Sequence, residues 1–139
     1  MSIAKRLLLE FDEEARATRR VLERVPADQL EWQPHPTALT LGQLALHIAR
    51  TPAGVAMMAQ QEVVEVPKFQ QPPAASHDEI LEAHDESQEV FRNALRTMDD
   101  ARITAPWSLA RGREIVWTVP RVGLIRTVGM NHVYHHRGQ

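Results

Sequence analysis

Two histidines, His132 and His136, stand four residues apart in the segment Asn131-His132-Val133-Tyr134-His135-His136-Arg137-Gly138-Gln139. On a helix this spacing puts both imidazoles on one face, one turn apart, with roughly 5–6 Å between their Cβ atoms. Such a pair can hold a single metal ion. A third imidazole, His47, lies far upstream in Leu44-Ala45-Leu46-His47-Ile48. Three neutral nitrogen ligands leave positions open for water or substrate, the arrangement of a reactive metal site.

Spacing alone leaves a blander reading open. The chain has seven histidines, and helical histidines are commonly solvated or hydrogen-bonded within a core. His47 tips the balance, because Leu44, Ala45 and Ile48 place it on the inward side of its helix, where an unpartnered imidazole carries a desolvation cost. Helix axes in a bundle stand ~8–10 Å apart, so inward imidazoles from two helices can converge on one ion. The other histidines are weaker candidates. His135 points about 100° away from His136, His35 sits between two prolines in a loop, His84 reads as a satisfied core residue and His77 as a surface one.

The elements that must position these groups are helical. Apolar residues at Ile3, Leu7, Leu8, Phe11, Ala15, Leu22 and Val25 follow a 3.6-residue period and predict helix one over 3–25. Pro26 ends it, and a proline-containing loop follows. Thr40-Leu41-Gly42-Gln43 is a capping box that starts helix two at Leu41; a kink is expected near 50–53 at Pro52, with continuation to about 61. The proline-rich stretch 66–73 is a connector. Ser76-His77-Asp78-Glu79 is a second capping box, starting helix three over 77–99. Between Ile103 and Val119 a loose alternation around Arg111-Gly112-Arg113 predicts a short hairpin or extended loop, and helix four runs from about Pro120 to His136.

With 139 residues the chain fits one domain able to bury a core without staples. No cysteine is present, which removes disulfides, thiolate ligands and a thiol nucleophile, so a metal must be held by nitrogen or oxygen. Sixteen basic residues against eighteen acidic ones leave a net charge of −2, too little positive charge for a phosphate-tracking surface. Arg16, Arg19, Arg20 and Arg24 are interleaved with Glu13, Glu14 and Glu23, as on a solvated, ion-paired helix face. No stretch nears the roughly 20 apolar residues of a membrane span. The expected setting is cytoplasmic, with no nucleic-acid or membrane partner.

Trp32-Gln33-Pro34-His35-Pro36, leading into Leu39-Thr40-Leu41-Gly42-Gln43-Leu44-Ala45-Leu46-His47-Ile48-Ala49, together with the Asn131-to-Gln139 ending, resembles the DinB-like (DinB/YfiT) superfamily of metal-binding four-helix bundles. The resemblance spans nearly the whole chain. It implies an all-α antiparallel four-helix bundle of the DinB/YfiT type in a single domain over 1–139. Carried over residue by residue, the family's metal triad falls on His47, His132 and His136, the three residues the spacing selects. The implied cofactor is a divalent metal, expected as zinc or nickel, with iron or manganese also suited to three imidazoles and water. Some members look like S-transferases or isomerases that use a low-molecular-weight thiol co-substrate; others are metal-dependent hydrolases or non-catalytic bundles. A zinc-protease reading lacks its general base, since Val133 stands where Glu is needed. Expected partners are a small-molecule substrate and a second copy in a homodimer, for which Trp107 and Trp117 are candidate interface residues. Because family members continue the last helix, the C-terminal end reads as truncated after Gln139.

Overall fold

The computed structural model describes residues 1–139. Helix α1 (Ile3–Glu23) is capped by the Ser2 hydroxyl, which accepts from Lys5 N–H at 3.2 Å, and buries the stripe Ala4, Leu7, Phe11, Ala15, Thr18 and Leu22. Helix α2 (Leu41–Met58) starts at the expected capping box, with both reciprocal bonds of Thr40 and Gln43 formed. It runs through Pro52 without ending. Around the proline, Thr51 Oγ1 donates to the His47 carbonyl at 2.7 Å and Ser87 Oγ of the neighbouring helix accepts from Ala53 N–H at 2.9 Å, so nearby side chains take up backbone groups where the proline interrupts the ladder. Helix α3 (His77–Arg96), capped by Ser76, packs against α1 and α2 and buries Ile80, His84, Ser87, Gln88, Phe91 and Leu95.

The expected all-α class is corrected by a three-stranded mixed sheet, which makes the chain α/β rather than a purely helical bundle. Strand β1 (Val63–Glu65) pairs in parallel with β2 (Pro106–Arg111), and β2 pairs antiparallel with β3 (Glu114–Pro120), in the order β1-β2-β3. The β2–β3 hairpin is the one the alternation predicted, turning at Gly112, whose φ of 61° lies in the left-handed region that favours glycine. Strand β1 was hidden because three residues carry no readable period, and its partner lies some forty-five residues downstream, Val63 facing Ser108. A further short helix, α4 (Asp100–Thr104), capped by Asp99, precedes β2.

After β3 the chain enters the last helical element, built as α5 (Arg121–Leu124), a π-helical stretch (Ile125–Asn131) and α6 (His132–Arg137) in unbroken succession. Arg121 anchors its start. The side chain is buried without a carboxylate partner, and instead its guanidinium donates to Ala59 O at 2.7 Å, Arg102 O at 2.7 Å and Gln61 O at 3.1 Å. Two of these carbonyls lie just past the C-terminus of α2, where a cation is favoured. The main core gathers Phe11, Val55, Phe91, Leu95, Trp107 and Met130 between the helices and the sheet. Trp107 is 1% exposed and its indole donates to Met58 O at 3.0 Å, so it is a core residue and not an interface one. No helix is long and apolar enough to cross a membrane.

Candidate metal centre

The last helical element must approach α2 closely for its histidines to meet His47. Gly129 allows this: a Cβ at that position would stand 3.1 Å from Val55 Cγ1 and 3.2 Å from Phe91 Cε2, tighter than packed side chains tolerate. One turn later His132 leaves the helix toward α2. Its Nε2 lies 3.0 Å from the Nε2 of His47 and 3.0 Å from that of His136. All three nitrogens fall within 4.8 Å of one another, a group that could hold a metal ion.

The donor set fits a cation. A neutral imidazole carries one N–H, so a proton on His132 Nε2 satisfies one of its two 3.0 Å contacts and leaves the other with facing lone pairs. A positive ion between the rings uses every lone pair at once. Two nitrogens each about 2.0–2.1 Å from a shared ion stand roughly 3 Å apart at a right angle, which matches the separations found. Burial, followed by the neighbouring His136 and His132, pushes the His47 pKa down to about 4, and burial with the nearby His136 and His135 lowers that of His132. Both rings are therefore neutral near pH 7, the state in which imidazole binds metal.

The outward nitrogens are supported as well. His136 Nδ1–H donates to Gln139 Oε1 at 2.6 Å, which leaves its Nε2 lone pair free for the centre. His47 Nδ1 lies 3.2 Å from the side-chain amide of Gln71. Gln71 belongs to the proline-rich connector, whose backbone is held down by Gln43: the Gln43 Nε2–H donates to Gln71 O at 2.8 Å. The last turn is also tied to α1. Arg137 Nη2 is 2.8 Å from Glu14 Oε2, and its Nη1 donates to Glu14 O and Thr18 Oγ1 at 3.2 Å each. His136 is thus held in a turn that would otherwise fray.

A cavity of about 580 Å³ opens above the three rings. It is walled by α2, by the connector around Phe69 and Gln71, and by Val128 of the π-helical stretch. No carboxylate lines it. The remaining histidines stay outside. His35 is exposed and pairs locally with Thr37 at 2.9 Å, and His135 is exposed. His84 is buried against Gln88 and Asp85. His77, read as a surface residue, is partly buried and its Nε2–H donates to Leu22 O at 2.8 Å, joining α3 to the end of α1.

The sequence reading found all three imidazoles and missed their supports. Gln71 carried no local signal, because its contacts with Gln43 and His47 span 28 and 24 residues. Gln139 was in view as part of the quoted ending, and its i,i+3 spacing from His136 was the clue.

Similarity to known proteins bears on this geometry. The crystal structure of a DinB-like protein from Bacillus cereus ATCC 10987 superposes with a TM-score of 0.72 at 24% identity, covering 95% of this chain and 84% of that one. The likeness is one of fold. No functionally curated protein matched the sequence. The family description that fits is the DinB superfamily, matched over residues 10–139, a span that takes in both halves of the triad. The chain belongs to the DinB superfamily.

Proposed function

We propose that this protein binds one divalent metal ion through His47, His132 and His136 and uses it to activate a low-molecular-weight thiol for transfer to a small electrophile. The observation that carries the reading is the convergence of three imidazole Nε2 atoms at 3.0 Å spacing beneath an open cavity. Zinc or nickel is the proposed metal; iron and manganese also suit the ligand set. A divalent ion held there supplies the Lewis acidity that makes a bound thiol give up its proton near neutral pH.

The chain's own part is to hold and exclude. The three rings fix the site, Gln139 and Gln71 orient two of them, and the apolar wall formed by Leu46, Val55 and Val128 displaces water. In the transfer the thiol proton leaves to solvent, a sulfur–carbon bond forms, and the leaving group departs with its bonding electrons. No protein base is needed. Hydrolysis is supported less, since it requires a group to activate water, the cavity lining holds no carboxylate, and Val133 is buried in the core.

The test begins with elemental analysis of protein purified without a nickel column, where close to one equivalent of metal is expected. Chelation should then leave a folded protein that lacks thiol-dependent turnover of an electrophile panel, with activity restored on reloading. Unfolding on chelation would mark a structural ion. A folded, metal-loaded protein with no turnover would mark a binding module.

A further inference from the structure

One face of α2 forms the long wall of the cavity. His47, Arg50, Thr51, Gly54, Val55 and Met58 line it, at i, i+3, i+4, i+7, i+8 and i+11, the spacing of a single helical stripe. With a rise of about 1.5 Å per residue, His47 to Gly54 spans roughly 10 Å along the helix.

Gly54 is the unexpected member of this stripe. A glycine inside a helix is destabilising relative to alanine, so its presence calls for a reason. Close packing supplies none, since a Cβ built at Gly54 meets nothing within 4 Å, in contrast to Gly129. The free space opens into the cavity.

The polar groups on the walls are already engaged with the protein. Thr51 Oγ1 donates to His47 O, both ends of the Gln43 amide are bonded, and the Gln71 amide lies against His47. Arg50 stands 3.2 Å from Glu79. What remains facing the cavity is the Gln70 amide and the apolar surface of Leu46, Val55, Met58, Phe69 and Val128.

Building on the metal–thiol reading, we propose that this site takes an elongated, largely apolar small molecule with one metal-seeking head, its chain lying along α2 from His47 across Gly54, and that Gly54 sets the size of chain accepted. The head meets the imidazole end, and the chain fills the groove left by the missing side chain.

The experiment uses cobalt-loaded protein and straight-chain alkylthiols from ethanethiol to decanethiol, with calorimetry for affinity and the sulfur-to-cobalt charge-transfer band for coordination. Affinity is expected to rise about threefold to fourfold per methylene and to level off once the chain outruns the roughly 10 Å between His47 and Gly54. Gly54→Leu should bind ethanethiol as the wild type does and lose at least about tenfold with the longest chains. Gly54→Ala, which meets no neighbour and favours the helix, should show a smaller loss in the same direction and serves if the leucine variant fails to fold. Affinity independent of chain length, or decanethiol binding untouched by both variants, overturns the inference even where the charge-transfer band appears. A missing band with the chain-length dependence intact overturns the thiol reading and leaves the shape of the ligand standing.

Discussion

Two sets of buried imidazoles occupy the interior, and they solve the problem of burial in opposite ways. At His84 both ring nitrogens meet protein: the Gln88 amide reaches each of them, and Asp85, itself gripped by Arg19 through two contacts of 3.0 Å, faces Nδ1 at 3.2 Å. In the triad the Nε2 atoms meet one another beneath an open cavity. Burial lowers the pKa of His84 as it does those of His47 and His132. Depth and a depressed pKa therefore do not separate a ligand from a structural histidine. What separates them is whether the nitrogens already have partners.

The largest effect expected from that contrast is on metal content. His132→Ala should abolish stoichiometric binding by elemental analysis, whereas His84→Leu should retain the full complement. Equal loss in both would mean the two clusters are coupled.

Next come the supports of the outer rings. Gln139→Ala and Gln71→Leu are each expected to weaken metal binding about 10–100-fold, the usual consequence of removing a partner that orients a ligand imidazole. Competition with a chromophoric chelator measures this, and unchanged affinity would show that the rings are held by packing alone.

A smaller change is expected in stability. His84→Leu leaves the Gln88 amide, 7% exposed, without its partner, at a cost on the order of 1–2 kcal/mol in urea unfolding.

The smallest is a pH slope. Desolvation is the chief cause of the lowered His84 pKa, with Arg19 and Arg92 adding to it and Asp85 opposing. The folded ring thus binds its proton less readily than the unfolded one, whose pKa is about 6.5. Its contribution to stability is complete above that value and is lost as pH falls through the lowered folded pKa. In metal-free protein the difference between wild type and His84→Leu should shrink from pH 7.5 toward acid. A pH-independent difference would contradict the assignment.

The contrast also shows what could be read from the chain. The i,i+4 pair, the inward His47 and both capping boxes are local patterns, and the structure places each where the pattern put it. The resemblance to the DinB-like family was correct, but the all-α class drawn from it was not. Strand β1 gains its state from a partner far along the chain, not from its own three residues. The Arg121 staple and the Gln71 contact are likewise long-range, and nothing in their flanking residues announces them. The boundaries of helix three shifted because Asp99 caps a separate short helix.

The π-helical turns of Ile125–Asn131 fit more residues into each turn than an α-helix does, so they reset the angular phase of everything downstream. Closing that phase by excising one residue would swing His132 and His136 about 100° around the axis. All three ligands would remain in the chain and no longer meet. Across homologues, then, a one-residue gap in this stretch would disable the centre as surely as a mutated histidine, and a search that only tallies imidazoles would overlook it.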